Sequence, residues 1–247
     1  MLQDRMKRRE VYSSAQFWNN KAHHYEGSAV SMFANRNLNR HYEAAQFAFF
    51  DRALPDVNGR FVLDVGCGTG RLSRHLAARG ARIRAFDFAE SAVEIARREN
   101  GDRDIDVSVM SVFDLNDEAL YEHIAVLGCV SAACKSKEEF ALVMRKLHAA
   151  LKPGGTLAMI EPFHEGFLHR VLDVPLSKIL SIIEESGFVV TGRAELHFWP
   201  ARLFLAPIEW PAWLTTIGHE VGELILRITG PKSGLGDYKG VIAKRIP

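Results

Sequence analysis

The stretch LDVGCGTGR, Leu63 to Arg71, has the composition of a ligand cradle: Gly66, Gly68 and Gly70 alternate with Cys67 and Thr69, and Asp64 lies two residues before the first glycine. Glycines in such a run let the backbone turn tightly and approach a ligand without a Cβ in the way. A dinucleotide fingerprint places glycines at first, third and sixth positions. Here they stand first, third and fifth, with Arg71 sixth, so the spacing disfavours a nicotinamide dinucleotide. A further carboxylate, Asp87, follows 17 residues after Gly70. An ordinary surface cap is the poorer reading of it, because residues 89–91 make the better cap-like turn.

These residues need elements to hold them, and hydropathy patterning supplies a regular alternation. RFVLDV (60–65), ARIRAFD (81–87), IDVSVM (105–110), HIAVLGCV (123–130) and TLAMIEPF (156–163) read as buried strands. Between them, residues 70–80, 90–100 and 136–152 read as helices; in the last, Phe140, Val143, Met144, Leu147 and Leu151 fall at three- and four-residue steps. Strands alternating with helices argue an α/β fold with a doubly wound parallel sheet covered on both faces. A helix over 176–188, a strand over 189–198 and a last strand over 237–246 follow without an ordinary crossover between the two strands, which predicts a different topology at that edge. The expected organisation is an N-terminal helical cap (1–55), a core (56–195), an insertion (196–236) and the final core strand (237–247).

Composition narrows the partners. With 31 Lys and Arg against 30 Asp and Glu, the net charge of +1 gives no footprint for nucleic acid, and the basic run RMKRRE reads as a solvated tail. Three cysteines, Cys67, Cys129 and Cys134, form no metal-type pairing and suit a reducing, cytoplasmic setting. No apolar run reaches spanning length and the start lacks a signal-peptide core, so a soluble chain is expected.

VLDVGCGTG, AFDFAESAVEIARR and LHAALKPGGTLAMIE, taken together over residues 60–162, resemble the class I S-adenosylmethionine-dependent methyltransferases. The resemblance implies a Rossmann-like seven-stranded sheet whose last strand inserts antiparallel. It also implies S-adenosylmethionine as cofactor and S-adenosylhomocysteine as product. By resemblance, Gly66, Cys67, Gly68 and Gly70 pass beneath the methionine part and Asp64 reaches its ammonium group. Asp87 takes the ribose hydroxyls and Phe88 lies against the adenine. Where the family has an acidic residue at the adenine amino group, this chain has Ser111, followed by Val112, with Asp114 as an alternative. Gly128 and Cys129 line the cofactor near its sulfonium; Cys129 itself is expected to be a buried thiol rather than a nucleophile. The segment FWNNKAHHYE resembles the family's leading helix, with Tyr25 approaching the methionine carboxylate and Trp18 roofing the site; plain packing on the sheet is the competing reading.

Methyl transfer is an in-line displacement that depends mostly on positioning, with a general base needed only for a protonated acceptor. Ligands of open α/β sheets bind at the C-terminal ends of strands, which singles out EPFHEG. His164 is the first candidate base and Glu161 the second. His164 and His169 are one residue too far apart for a zinc motif, so no metal is expected. GCVSAACK after the fourth strand lacks the Asn/Asp-Pro-Pro-aromatic turn of adenine and glutamine methyltransferases, leaving an O or N atom of a small molecule. A non-catalytic cofactor-binding partner of another protein is the alternative. The stretch HFWPARLFLAPIEWPAW, between the last two strands, holds three of the four tryptophans. It suits a lid, a homodimer interface or ordinary packing, and the expectation is that Trp199, Trp210 and Trp213 wall a hydrophobic substrate pocket. The amphipathic segment after it carries Leu214, Ile217, Val221, Leu224 and Ile228 along one side.

Overall fold

A computed structural model of the chain describes residues 11–22, 33–163, 172 and 174–246. Its sheet contains β1 (Phe61–Val65), β2 (Arg82–Asp87), β3 (Ile105–Val109), β4 (Tyr121–Leu127), β5 (Leu151–Glu161), β6 (Phe188–Phe198) and β7 (Gly236–Arg245). The order is β3-β2-β1-β4-β5-β7-β6. Pairs among β1 to β5 are parallel, whereas β7 runs antiparallel to both β5 and β6. The odd final pair expected from sequence is therefore this wedged, reversed strand.

Helices α1 (Ala15–Ala22) and α2 (Arg36–Ala53) precede the sheet, and α3 (Arg71–Ala78) and α4 (Glu90–Asn100) link its first strands. After β4 come the single turn α5 (Val130–Ala133) and α6 (Lys137–Ala150), then α7 (Leu176–Glu185) before β6. The connection from β6 to β7 carries α8 (Trp199–Leu205) and α9 (Ala212–Thr229).

Both faces of the sheet are covered, which is why strands such as β1 read as continuous apolar runs. One face packs Phe140, Val143, Met144 and Leu147 of α6 and Ile179 and Ile183 of α7 against Leu63, Ile124, Leu157 and Met159. The other packs Leu38, Phe49 and Phe50 of α2 and Leu72 and Leu76 of α3 against Val62, Ile83, Ala125 and Ile160. Each such buried large apolar side chain contributes about 1.5–3 kcal/mol. α6 starts where Ser136 Oγ accepts from the Glu139 amide at 3.2 Å, with Glu138 and Glu139 in its first turn to complement the helix dipole.

Boundaries differ from the sequence expectation at informative places. α6 stops at Ala150, because Pro153 forces the residue before it into extended backbone, so Leu151 and Lys152 enter β5. β4 ends at Leu127 rather than Val130: Gly128 takes φ 68, and the chain turns at once into α5.

Candidate active site

The C-terminal ends of β1 and β2 bring the glycine loop and Asp87 together. Gly66, Gly68 and Gly70 all have positive φ (65, 53 and 78), which an L side chain adopts only at a cost of about 1–2 kcal/mol. Their surroundings differ. A Cβ on Gly66 would fall 2.4 Å from Cys129 Cβ, whereas one on Gly68 would meet nothing within 4 Å. Gly66 is thus small because protein is close, and Gly68 borders open space.

Asp87 ties this loop to the next. Its Oδ2 accepts from the Gly68 amide and its Oδ1 from the Ala89 amide, both at 2.9 Å. The carboxylate is nearly buried, which raises its pKa against the pull of those amides. Each oxygen keeps a second lone pair for a ligand hydroxyl. Asp87 is therefore no surface cap. Asp64, buried below the loop, accepts from Ser73 Oγ at 2.5 Å, and burial pushes its pKa up to about 6.

α1 lies across α4: Trp18 and Ala22 pack on Ala89, Ala92 and Ile95, and Asn19 Oδ1 accepts from the Ser91 amide at 3.0 Å. This places an N-terminal helix beside the turn that follows Asp87. Tyr25 lies outside the described residues. On the next loop, Ser111 Oγ accepts from the Phe113 amide at 3.3 Å and starts the 3-10 turn Val112–Asp114. Val112 is buried, Phe88 and Ser111 are half-buried, and Asp114 is exposed. The Met110 amide donates to Asp87 O at 3.0 Å, so this loop is anchored to the same strand end.

Glu161 has a different part from the one expected. Its Oε1 accepts from the Cys129 and Val130 amides at 3.0 and 2.8 Å, and its Oε2 from the Ser131 amide and Oγ at 3.2 and 2.5 Å. A fully buried carboxylate with four hydrogen bonds caps α5 and fixes the turn at Gly128 and Cys129. It has neither the access nor the freedom of a general base, although burial raises its pKa to about 7. His164 and His169 lie outside the described residues. The Cys129 thiol donates to Val65 O at 3.0 Å, and burial raises its pKa well above the ordinary value.

The three tryptophans do not form one wall. Trp199 and Trp210 are half-buried, with Trp210 Nε1 donating to Phe204 O at 3.1 Å and its ring stacked on Phe204 at 4.8 Å. Trp213 is 66% exposed on the outer side of α9. A helix side turned away from the sheet cannot line a pocket against it.

Sequence reasoning passed over Tyr42, His197 and Tyr238. His197, at the C-terminal end of β6, is fully buried with φ 63; its ring stacks flat on Tyr42, centroids 3.6 Å apart, and edge-on to Tyr238 at 5.7 Å. Among the described residues, His197 Nδ1 and Tyr42 Oη have no hydrogen-bond partner. Burial holds His197 neutral and raises the Tyr42 pKa, keeping its phenol protonated. Tyr238 reaches within 3.9 Å of where a Cβ on Gly128 would sit, so the cluster adjoins the turn after β4. Its three members come from α2, β6 and β7, and no local pattern joins them. The one signal was a histidine inside an otherwise apolar strand end.

Residues 62–155 match the family model described as "Methyltransferase domain", and they contain the glycine loop, Asp87 and the turn after β4. Residues 62–155 are a methyltransferase domain of the class I S-adenosylmethionine-dependent type. The ubiquinone biosynthesis O-methyltransferase of Xanthomonas campestris pv. campestris is 32% identical over 166 residues, 66% of this chain and 63% of that one. The chain thus spans less than two thirds of that relative's length. Among solved structures, the N-methyltransferase NodS of Bradyrhizobium japonicum, in complex with S-adenosylhomocysteine, superposes with TM-score 0.63 at 12% identity, covering 94% of this chain and 97% of NodS. The [4+2]-cyclase SpnF gives TM-score 0.58 at 18% identity, over 83% of this chain and 81% of SpnF. At those identities the superpositions speak to the methyltransferase fold alone.

Proposed function

We propose that this chain transfers a methyl group from S-adenosylmethionine to an O or N atom of a small, apolar or aromatic acceptor. The observation that carries the reading is Asp87, held by the Gly68 and Ala89 amides at the strand ends, with open space beside Gly68. S-adenosylmethionine supplies an electrophilic methyl on a sulfonium. In this reading Gly66, Cys67, Gly68 and Gly70 underlie its methionine part, Asp64 steers the ammonium group, and Asp87 accepts from the ribose hydroxyls. Phe88, Ser111 and Val112 flank the adenine. Gly128 and Cys129 face the sulfonium, in a turn that Glu161 keeps in place. Tyr25 and His164 keep the roles their sequence positions suggest, His164 as the proton acceptor.

The acceptor's polar atom has natural partners in Tyr42 Oη and in His197 Nδ1, which carries the ring proton because Nε2 faces the Gln46 amide nitrogen at 3.4 Å; both are buried with their hydrogen bonds unmade. The curated relative's name, an O-methyltransferase, supports oxygen as acceptor atom. Radiolabelled methyl transfer to a panel of phenols, catechols and aromatic amines tests the proposal. Product that disappears with Asp87→Ala supports it. Intact cofactor binding without turnover, together with a different protein that co-purifies, would favour the non-catalytic partner.

A further inference from the structure

Helix α9 is turned inside out. Its buried residues are Thr215, His219, Gly222 and Leu226, while Trp213, Ile217, Val221, Leu224 and Ile228 are each between 51% and 77% exposed. An isolated amphipathic helix would bury the second set. Contacts on the inner side fix the orientation. A Cβ on Gly222 would fall 2.7 Å from Phe198, and one on Gly218 would fall 3.0 Å from Leu205, so the small face is the one that fits against β6 and α8. Thr215 Oγ1 accepts from buried Asn35 at 3.0 Å, and the His219 ring stacks on His41 at 4.8 Å. Rolling the helix over would break all of these.

Leu203 and Phe204 of α8 and Ile208 of the following turn are exposed as well. Scattered exposed apolar residues are ordinary, but five aligned along one helix mark an interaction surface. We infer that this face of α9 is the interface of a homodimer, in which α9 packs antiparallel against α9 of a second copy.

Charge and register argue for a second copy. At about 100° per residue, Trp213, Ile217, Val221, Leu224 and Ile228 fall within roughly a quarter of the helix circumference. Glu220 and Arg227, both exposed, border one and the same edge of that stripe, two turns apart. A two-fold axis that sets Ile217 opposite Ile228, and Val221 opposite Leu224, brings Glu220 of each copy to Arg227 of the other. One register therefore matches the apolar residues and neutralises both charges twice over, as an isologous contact requires. A lipid surface fits less well, because interfacial helices flank their apolar face with several cations, and this one offers one Arg and one Glu. The inference does not depend on the reaction the chain performs.

Sedimentation of the full chain over a range of concentrations tests it. The parent is expected to dimerise, and Ile217→Asp, at an exposed position, to weaken association at least a hundredfold, with the melting temperature unchanged at a dilution where the parent is also monomeric. Glu220→Arg alone and Arg227→Glu alone should each weaken it about tenfold, since like charges then face each other. An equimolar mixture of those two variants should recover the parent's affinity, because every introduced charge then meets an opposite one. A parent that stays monomeric at about 100 μM overturns the inference. So does a dimer indifferent to Ile217→Asp, a mixture that recovers nothing, or a monomer that binds phosphatidylcholine vesicles instead.

Discussion

Gly66 and Gly68 have the same backbone twist and opposite surroundings, and that contrast separates folding from binding. Gly66→Ala drives a methyl group into Cys129 and is expected to destabilise the fold by about 2–4 kcal/mol, read as a lower midpoint in urea. Gly68→Ala meets no protein atom and should cost about 1 kcal/mol, mostly backbone strain. Its affinity for S-adenosylhomocysteine should nevertheless fall at least tenfold, because the added Cβ projects into the space assigned to the cofactor. Asp87→Ala should lower that affinity further. The spacing of the glycines already announced a cradle, and the position of Asp87 relative to them was legible. Glu161 was not, because its meaning depends on the ends of β4 and β5 lying side by side, which puts a carboxylate more than thirty residues away under the Cys129 amide. Glu161→Ala should accordingly loosen the turn at Gly128 and lower both stability and cofactor affinity. A general base would instead have cost turnover with affinity preserved.

At the level of elements, most strands and helices follow from local pattern, and the departures have local causes such as Pro153 and Gly128. The orientation of α9 does not. Its apolar stripe is plain in the sequence, yet the side that packs is chosen by Gly218 and Gly222 meeting Leu205 and Phe198, contacts between distant segments. The same inner side buries His219, whose pKa falls to about 4 from 6.5 through burial and the nearby His41. A histidine kept neutral by the fold contributes stability that is present above pH 6.5 and is lost as pH falls through the interval down to about 4. Thermal melts at several pH values should show the parent losing stability across that interval faster than His219→Gln. Equal slopes would mean that His219 takes up its proton as easily folded as unfolded. At the end of β6, His197→Phe keeps the stack on Tyr42 but removes the unpaired nitrogen. It should raise the acceptor KM several-fold while leaving cofactor affinity alone.

The whole molecule joins a cofactor-type cradle, built from residues close in sequence, to surfaces built from residues far apart. The first kind was legible: the loop at Gly66 and the carboxylate at Asp87 follow from short motifs in order, and the reversed last strand from the family those motifs resemble. The second kind required the fold. Tyr42 and His197 meet only because α2 crosses the end of β6, and Trp213 faces outward only because α9 is seated by its glycines. Among the described residues no helix is long and apolar enough to cross a membrane. Cofactor binding rests on the cradle. Calorimetric titration of the purified chain with S-adenosylhomocysteine tests it most directly. One molecule bound per chain in the micromolar range, with binding weakened by Asp87→Ala and Gly68→Ala but retained in Ile217→Asp, is the predicted result. No heat from either S-adenosylhomocysteine or S-adenosylmethionine with the folded parent would contradict it.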